Sequence, residues 1–549
     1  MKRITLTIAA AAVCAWALRA QSFNPQVEVT NDYRTQVADV QKEEVKMDVP
    51  DSLLSFNYNL DYTVFDHPYK GSYEFKPYLI EMAPDKRTSE SRRVYLSAGA
   101  GYTFSPELDL VFTPRSGGAV SGSFYDSFRG YFGPVRALES EKTFNSSLYR
   151  NTLGVQGQVA ARSTTIDGTL AYDRYYAKDD VLSNALDRVS LGGSFAEIEL
   201  SKGLQLSGKA SLGFGSLSGA AAGTSNLGEF DLGLGVGVSS PLGRGRVAVD
   251  AGLDAAFFGG SHKATGINVY AVPKYMIESD IASLSAGVRL SFLPGSTTGK
   301  DDFAHRSAIF FPDVHGHVFI WQDKVRLFAD VTGGDRLTGL ADIMQMSPFV
   351  MSLPFNGDDV AALDACSERF NAVAGIGGSI ARCFQYKVWG GYASVENFLT
   401  DNYFQFSPAV LPQSSLIWQD YKYAQAGVDL DYESSAFEAS AALDYKHVTG
   451  LEDGFGLSPL RLDVKARYNW SRRVFAGVYC QYNAAREHAA AGVELPSYTD
   501  LGVFGEYVLR HNLSLWLRAD NLLCQDLWQY TAHARTGINL TAGICLNIR

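Results

Sequence analysis

Residues 231–258 read DLGLGVGVSSPLGRGRVAVDAGLDAAFF. Leu232, Leu234, Val236 and Val238 take every second place, and Asp231, Gly233, Gly235, Gly237 and Ser239 fill the gaps. Beyond the turn at 241–245 the rhythm resumes, with Val247, Val249, Ala251, Leu253, Ala255 and Phe257 opposite Ala248, Asp250, Gly252 and Asp254. Successive side chains on a strand point to opposite faces. The stretch therefore reads as a hairpin of two long strands, each with one apolar face and one small or polar face. Strands in ordinary sheets run about five or six residues. These approach the roughly ten needed to cross a bilayer at a tilt.

The same unit recurs from about residue 92 to the end of the chain. Short connections at 114–118, 161–164, 201–203, 277–280, 322–324, 433–435, 471–473 and 511–512 alternate with longer polar ones, among them 130–144, 175–188, 294–306, 334–369 and 397–418. A soluble sandwich has no reason to sort its connections by length in strict turn, whereas an outer-membrane barrel joins its strands by short periplasmic turns and longer external loops. The expected fold is all-β: a transmembrane antiparallel β-barrel of about 22 strands (20 to 24 by this count), preceded by a short N-terminal periplasmic or lumenal extension. An even strand number places both ends of the barrel in the periplasm. The final stretch, GINLTAGICLNIR, alternates to the last residue, so it is expected to pair with the first strand near 93–103 and close the sheet. Closure leaves no open edge in lipid. Ile538 to Ile548 would face the acyl chains, and Asn539, Thr541 and Asn547 the lumen.

The leader supports export. Lys2 and Arg3 precede the apolar run ITLTIAAAAVCAWAL, and Ala20–Gln21 is a plausible cleavage point. Val13 is bulky where a lipid-modified Cys14 would need a small neighbour. The division that follows is a signal peptide over 1–20, a periplasmic or lumen-filling segment over 21–91 and a barrel over 92–549. No mature stretch approaches 18 uninterrupted apolar residues, so no membrane helix is expected. Charged residues make up 19% of the chain, below the roughly 25% of soluble domains. The net charge of -11 argues against nucleic acid or an anionic lipid surface as the main partner.

Trp321 and Trp470 abut short turns, and Trp418 and Trp528 lie where strands meet long loops, as two aromatic girdles would require. Trp389 does not fit that scheme. Nor does Trp516, which alternates with Ser514, Arg518 and Asp520 and should point inward. Cys366, Cys383, Cys480, Cys524 and Cys545 are odd in number and far apart, so neither a disulfide framework nor a zinc site is indicated.

DNLLCQDLWQY (520–530) followed by RTGINLTAGICLNIR (535–549) resembles the closing strands of TonB-dependent receptor barrels. The leader at 22–50, the stretch 347–394 and HGHVFIWQDKVRLFADVTGG (315–334) are similar to receptor-like outer-membrane barrels of Bacteroidetes. The resemblance implies an outer-membrane protein with solutes, outer-membrane lipid, other envelope proteins and TonB as the partners to consider. VEVTN at 27–31 stands where a TonB box would. Receptors of this kind carry a plug of well over a hundred residues, and here only some 70 precede the first strand. The chain also ends on Arg549, where barrel-assembly signals commonly end in an aromatic.

Three patterns could carry chemistry. Asp313, His315 and His317 share a lumenal face and could ligate a transition metal, although a polar lumen wall explains them equally. GAGYTFS, GVGVSS and GIGGSIA imitate nucleotide loops, but each lies inside an alternating strand with no helix after it. Asp179–Asp180, Asp301–Asp302 and Asp358–Asp359 lack EF-hand spacing. With no GxSxG and no HExxH, no catalytic, cofactor-binding or metal site is assigned. The expected role is non-enzymatic: solute passage, or membership of an outer-membrane complex. The lumen would be filled by residues 21–91, by in-folded loops such as 334–369, or by a partner. The alternatives are a TonB-energised nutrient transporter and a barrel enzyme acting on lipid.

Overall fold

The computed structural model describes residues 93–548, apart from 115–118, 140–141, 161–163, 202, 223–225, 261–262, 294–308, 322–323, 354–364, 381–382, 405–412, 452–453, 489 and 532. The leader, the 21–91 segment and VEVTN at 27–31 lie outside the described residues. Strands are numbered β1 to β26 in chain order. β1 (Val94–Tyr102) pairs on one side with β2 (Glu107–Phe112) and on the other with β26 (Asn539–Ile548). The second pairing is antiparallel and runs from Val94↔Ile548 to Tyr102↔Leu540, so the first and last strands seal the sheet. The closed wall has 22 antiparallel strands. Four short strands lie outside it: β14 (Val350–Ser352), β21 (Arg486–His488), β22 (Val493–Leu495) and β25 (His533–Arg535).

The two faces separate as the alternation requires. On β8 (Leu227–Leu242) and β9 (Gly245–Gly260), Leu234, Val236, Val249 and Phe257 are exposed on the outside. Asp231 and Asp250 face the lumen, where they meet Arg188 at 2.8 Å and Lys274 at 2.6 Å. On β26, Leu540, Ile544 and Ile548 point outward, and Thr541 and Cys545 are buried on the inner side. Apolar surface in contact with water is costly, and a 22-strand cylinder with a band of such surface around its exterior has the outer face expected of an outer-membrane barrel. Trp516 does turn inward. Its indole lies on Gly99 and Gly543, at each of which an added Cβ would sit 2.4 Å or less from ring atoms. Glycine at both places lets a large ring lie flat against the wall at the closing seam.

The longest connections, 293–308, 338–364, 450–459, 484–497 and 521–538, all fall at one rim, and the other rim has mostly turns of two to four residues. Over the first strands the lengths do not alternate: the connection 113–119, of seven residues, is longer than its neighbours of four and five. Three expected loops are mostly strand. β3 (Val120–Ala137) runs through most of 130–144, and β4 (Thr143–Ala160) starts again at Thr143; β5 (Thr165–Lys178) and β6 (Ser183–Ser201) take up most of 175–188; β16 (Phe384–Phe404) and β17 (Gln413–Glu433) take up most of 397–418. Hydropathy fades there because the wall rises beyond the apolar band, yet the ladder of backbone hydrogen bonds continues. Trp321 and Trp470 are exposed at the short-turn rim, as expected of a girdle. Trp418 and Trp528 are not at a lipid interface. They pack inside, against apolar clusters formed by the long loops.

Candidate functional site

The long-loop rim is where the molecule departs from a plain cylinder. After β13 (Val325–Leu337), the chain turns in and forms helix α1 (Leu340–Met346). Leu340, Ile343 and Met344 fall at helical spacing on one face, and all three are buried. The helix starts at Gly339, whose N–H is taken by the Asp342 carboxylate at 3.2 Å, and Leu340 N–H donates to Glu229 Oε1 on β8 at 2.9 Å. Ser347 and Pro348 end it.

Leu340, Ile343 and Met344 of α1 belong, with Val350 and Leu353 after it, to one buried apolar cluster that draws on two separated sectors of the wall. On one side are Tyr175 of β5 (Thr165–Lys178), Leu186 of β6 (Ser183–Ser201), Leu217 of β7 (Leu204–Gly219) and Leu227 and Phe258 of β8 and β9. On the other are Leu399 of β16 (Phe384–Phe404) and Leu416 of β17 (Gln413–Glu433). Burying three side chains of this size stabilises the docked helix by about 5–8 kcal/mol before ordering costs are counted. Beyond the helix, β14 adds a parallel pairing to β17 at Val350↔Ser414. Asn184 on β6 donates to Pro348 O at 3.1 Å and Val350 O at 2.7 Å. The segment 338–353 is thus tied to β6 and to β17 at once.

A second loop, 521–538, also turns inward and meets the first. β25 pairs with the upper end of β3, from His533↔Ala137 to Arg535↔Val135. His533 stacks on Phe349 of the first loop, with ring centroids 4.2 Å apart, and its Nε2 lies 2.8 Å from Asp179 Oδ2 in the β5–β6 connection. Asp179 Oδ1 accepts the N–H groups of Val181 and Leu182, each at 2.7 Å. Burial raises the Asp179 carboxyl, but His533 and those backbone donors outweigh it and hold the pKa below its ordinary value. On the far side, Thr531 Oγ1 donates to Asp401 Oδ2 at 2.9 Å, and Ser414 Oγ donates to Asp401 Oδ1 at 3.2 Å. Leu138, Phe455, Val493, Leu495, Leu527 and Trp528, from four loops, form another buried cluster alongside.

The sequence patterns singled out for chemistry do not assemble. His315 on β12 (Ile309–Trp321) has Nδ1 2.9 Å from Asp330 Oδ1 and Nε2 3.2 Å from Asp313 Oδ1. Both ring nitrogens therefore face carboxylates, while His317 lies edge-on to Phe319. Among the described residues no group of three His, Cys, Asp or Glu is arranged for a metal. The three glycine motifs lie in or at the ends of strands, and the five cysteines are free thiols. Of the acidic pairs, Asp179 serves the latch just described; Asp301–Asp302 and Asp358–Asp359 lie outside the described residues. Sequence reading missed His533, Asn184, Thr531 and Asp401. Their only local signal is a polar residue at the margin of a long connection, and their partners lie between 130 and 354 residues away in the chain.

No protein-family model matches the sequence, and no curated protein matches it. Solved structures do. The copper transporter OprC aligns over 83% of this chain and 80% of its own at 14% identity, with a TM-score of 0.60. The FrpB iron transporter from Neisseria meningitidis aligns over 83% and 81% at 11% identity, TM-score 0.62. A mutant ferric enterobactin receptor from Pseudomonas aeruginosa (PfeA), with enterobactin bound, aligns over 83% and 81% at 12% identity, TM-score 0.58. The chain has the barrel fold of the TonB-dependent receptors. Within that barrel fold, the in-turned segment 338–353 ties two sectors of the long-loop rim.

Proposed function

We propose that this protein is a non-enzymatic outer-membrane barrel for regulated solute passage, closed at rest by its own loops, with both termini in the periplasm. A cylinder of 22 strands is wide enough to breach a permeability barrier unless something occupies it. The observation that carries the reading is the segment 338–353, which shares one buried cluster with side chains of β5–β9 and β16–β17 and is hydrogen-bonded to Asn184 of β6 and paired with Ser414 of β17. A loop committed to two sectors of the wall restricts the mouth, and a latch of few hydrogen bonds can be reversed by a modest ligand contribution. Residues 21–91 would add to the filling from the short-turn side. Membership of a larger envelope assembly is compatible with the same architecture.

The test is conductance in planar bilayers. The intact protein should conduct little, and removal of 340–352 should open channels of high, steady conductance. A large conductance from the intact protein would overturn the proposal. A second reading, energised uptake with TonB, is favoured by the fold of the neighbours and by VEVTN at 27–31. Deleting residues 21–40 should then abolish uptake and TonB crosslinking; unchanged uptake rejects it.

A further inference from the structure

The two rims carry opposite charge. Among the described residues, the connections at the short-turn rim hold four Arg and Lys and one Asp, a net of three positive. Those at the other rim hold four Arg and Lys and seven Asp and Glu, a net of three negative. The whole chain is at -11, so the positive rim is a local arrangement and not a reflection of composition. The global charge pointed away from anionic surfaces; the distribution along the barrel axis reverses that conclusion at one end.

Two places fix the depth of these cations. Trp321 is 61% exposed on the barrel exterior, and Lys324 Nζ stands 4.6 Å from the centre of its ring. Trp470, 53% exposed and edge-on to Tyr468 with ring centroids 4.3 Å apart, immediately precedes the turn Ser471–Arg472–Arg473. That turn is built: Arg472 N–H donates to Asn469 Oδ1 at 2.8 Å, and Arg473 N–H to Trp470 O at 3.0 Å. Exposed indoles on a barrel mark the level where acyl chains meet headgroups. A cation stacked on such an indole, or within three residues of it, sits at phosphate level.

We propose that the short-turn rim is a collar that binds anionic phospholipid headgroups, with Lys324, Arg472 and Arg473 as principal contacts. The proposal rests on the reading of the barrel as membrane-spanning. An acidic soluble protein would also be drawn to a positive rim, but it would leave Trp321 and Trp470 unexplained. Lipid accounts for the indoles and the cations together.

The probe is dioleoylphosphatidylglycerol offered against an equal amount of dioleoylphosphatidylcholine to the full-length protein in mild detergent, with bound lipid read by native mass spectrometry. Phosphatidylglycerol should be retained in excess by about tenfold, and the excess should shrink towards parity between about 50 mM and 0.5 M salt. The variant K324E/R472E/R473E should lose most of it, and K324Q/R472Q/R473Q, which disturbs folding least, should lose part. Equal retention of the two lipids by the intact protein overturns the collar. So does a preference untouched by both variants, or loss of an acidic protein partner in place of lipid. Insertion of the same protein into phosphatidylcholine vesicles separates the two readings: insertion without headgroup preference sinks the collar alone, and failure to insert sinks the membrane-spanning barrel as well.

Discussion

Asp179 is buried in the β5–β6 connection and satisfies three donors from two loops. Its folded pKa lies below the ordinary 3.8, so the sign of its pH effect is fixed. The stabilisation it provides is fully present above the unfolded value near 3.8 and is lost as pH falls through the lower folded value. The latch should therefore hold at neutral and mildly acidic pH and weaken only in strong acid, which conductance recorded across an acid titration would reveal. Asp179→Asn leaves His533 without its charged partner in a dry site. The expected cost is about 1–3 kcal/mol, read as roughly ten- to hundredfold faster hydrogen exchange at the Leu182 amide with global unfolding unchanged.

Helix α1 illustrates how an element of two turns becomes stable. Alone it is too short to persist in water. It forms because Leu340, Ile343 and Met344 find apolar partners on the wall, and because Glu229 and Asp342 satisfy its first N–H groups. Ile343→Ala should cost about 2–5 kcal/mol of docking energy and raise the open probability without unfolding the wall, which paired conductance and thermal-unfolding measurements would separate. The closing seam makes a contrasting case. Gly543→Leu would drive a side chain into Trp516 and the Ala98 carbonyl, and should destabilise the whole barrel by about 1–3 kcal/mol in denaturant titrations.

For the molecule as a whole, the difference between outside and inside is the property to test. Val236 is 51% exposed on the apolar exterior, and Ser207 on β7 lines the lumen beside Gly237. Val236→Arg should cost about 2–4 kcal/mol of folding free energy in vesicles, whereas Ser207→Arg should fold nearly normally. Equal costs for the two would be incompatible with a cylinder in hydrocarbon. The charge difference between the rims adds a second whole-molecule property, which no single strand displays.

The alternation at 231–258 and at 538–548 was enough to identify a closed barrel and which face of each strand is apolar and turned outward. The reason is that a period of two projects directly onto the two faces of a sheet, and a bilayer demands an apolar outer face along its whole height. The inward turn of Trp516 was legible for the same reason. The extension of β3 and β5 beyond the bilayer was not, because strands surrounded by water on both faces need no hydrophobic rhythm. Nor was the meeting of the in-turned loops. Leu340 joins Leu227 and Leu416 in one buried cluster, and His533 meets Asp179, only after the wall has curved round to bring them together. Local pattern specifies strands and their faces; contacts between loops hundreds of residues apart belong to the tertiary structure, because no local period encodes them.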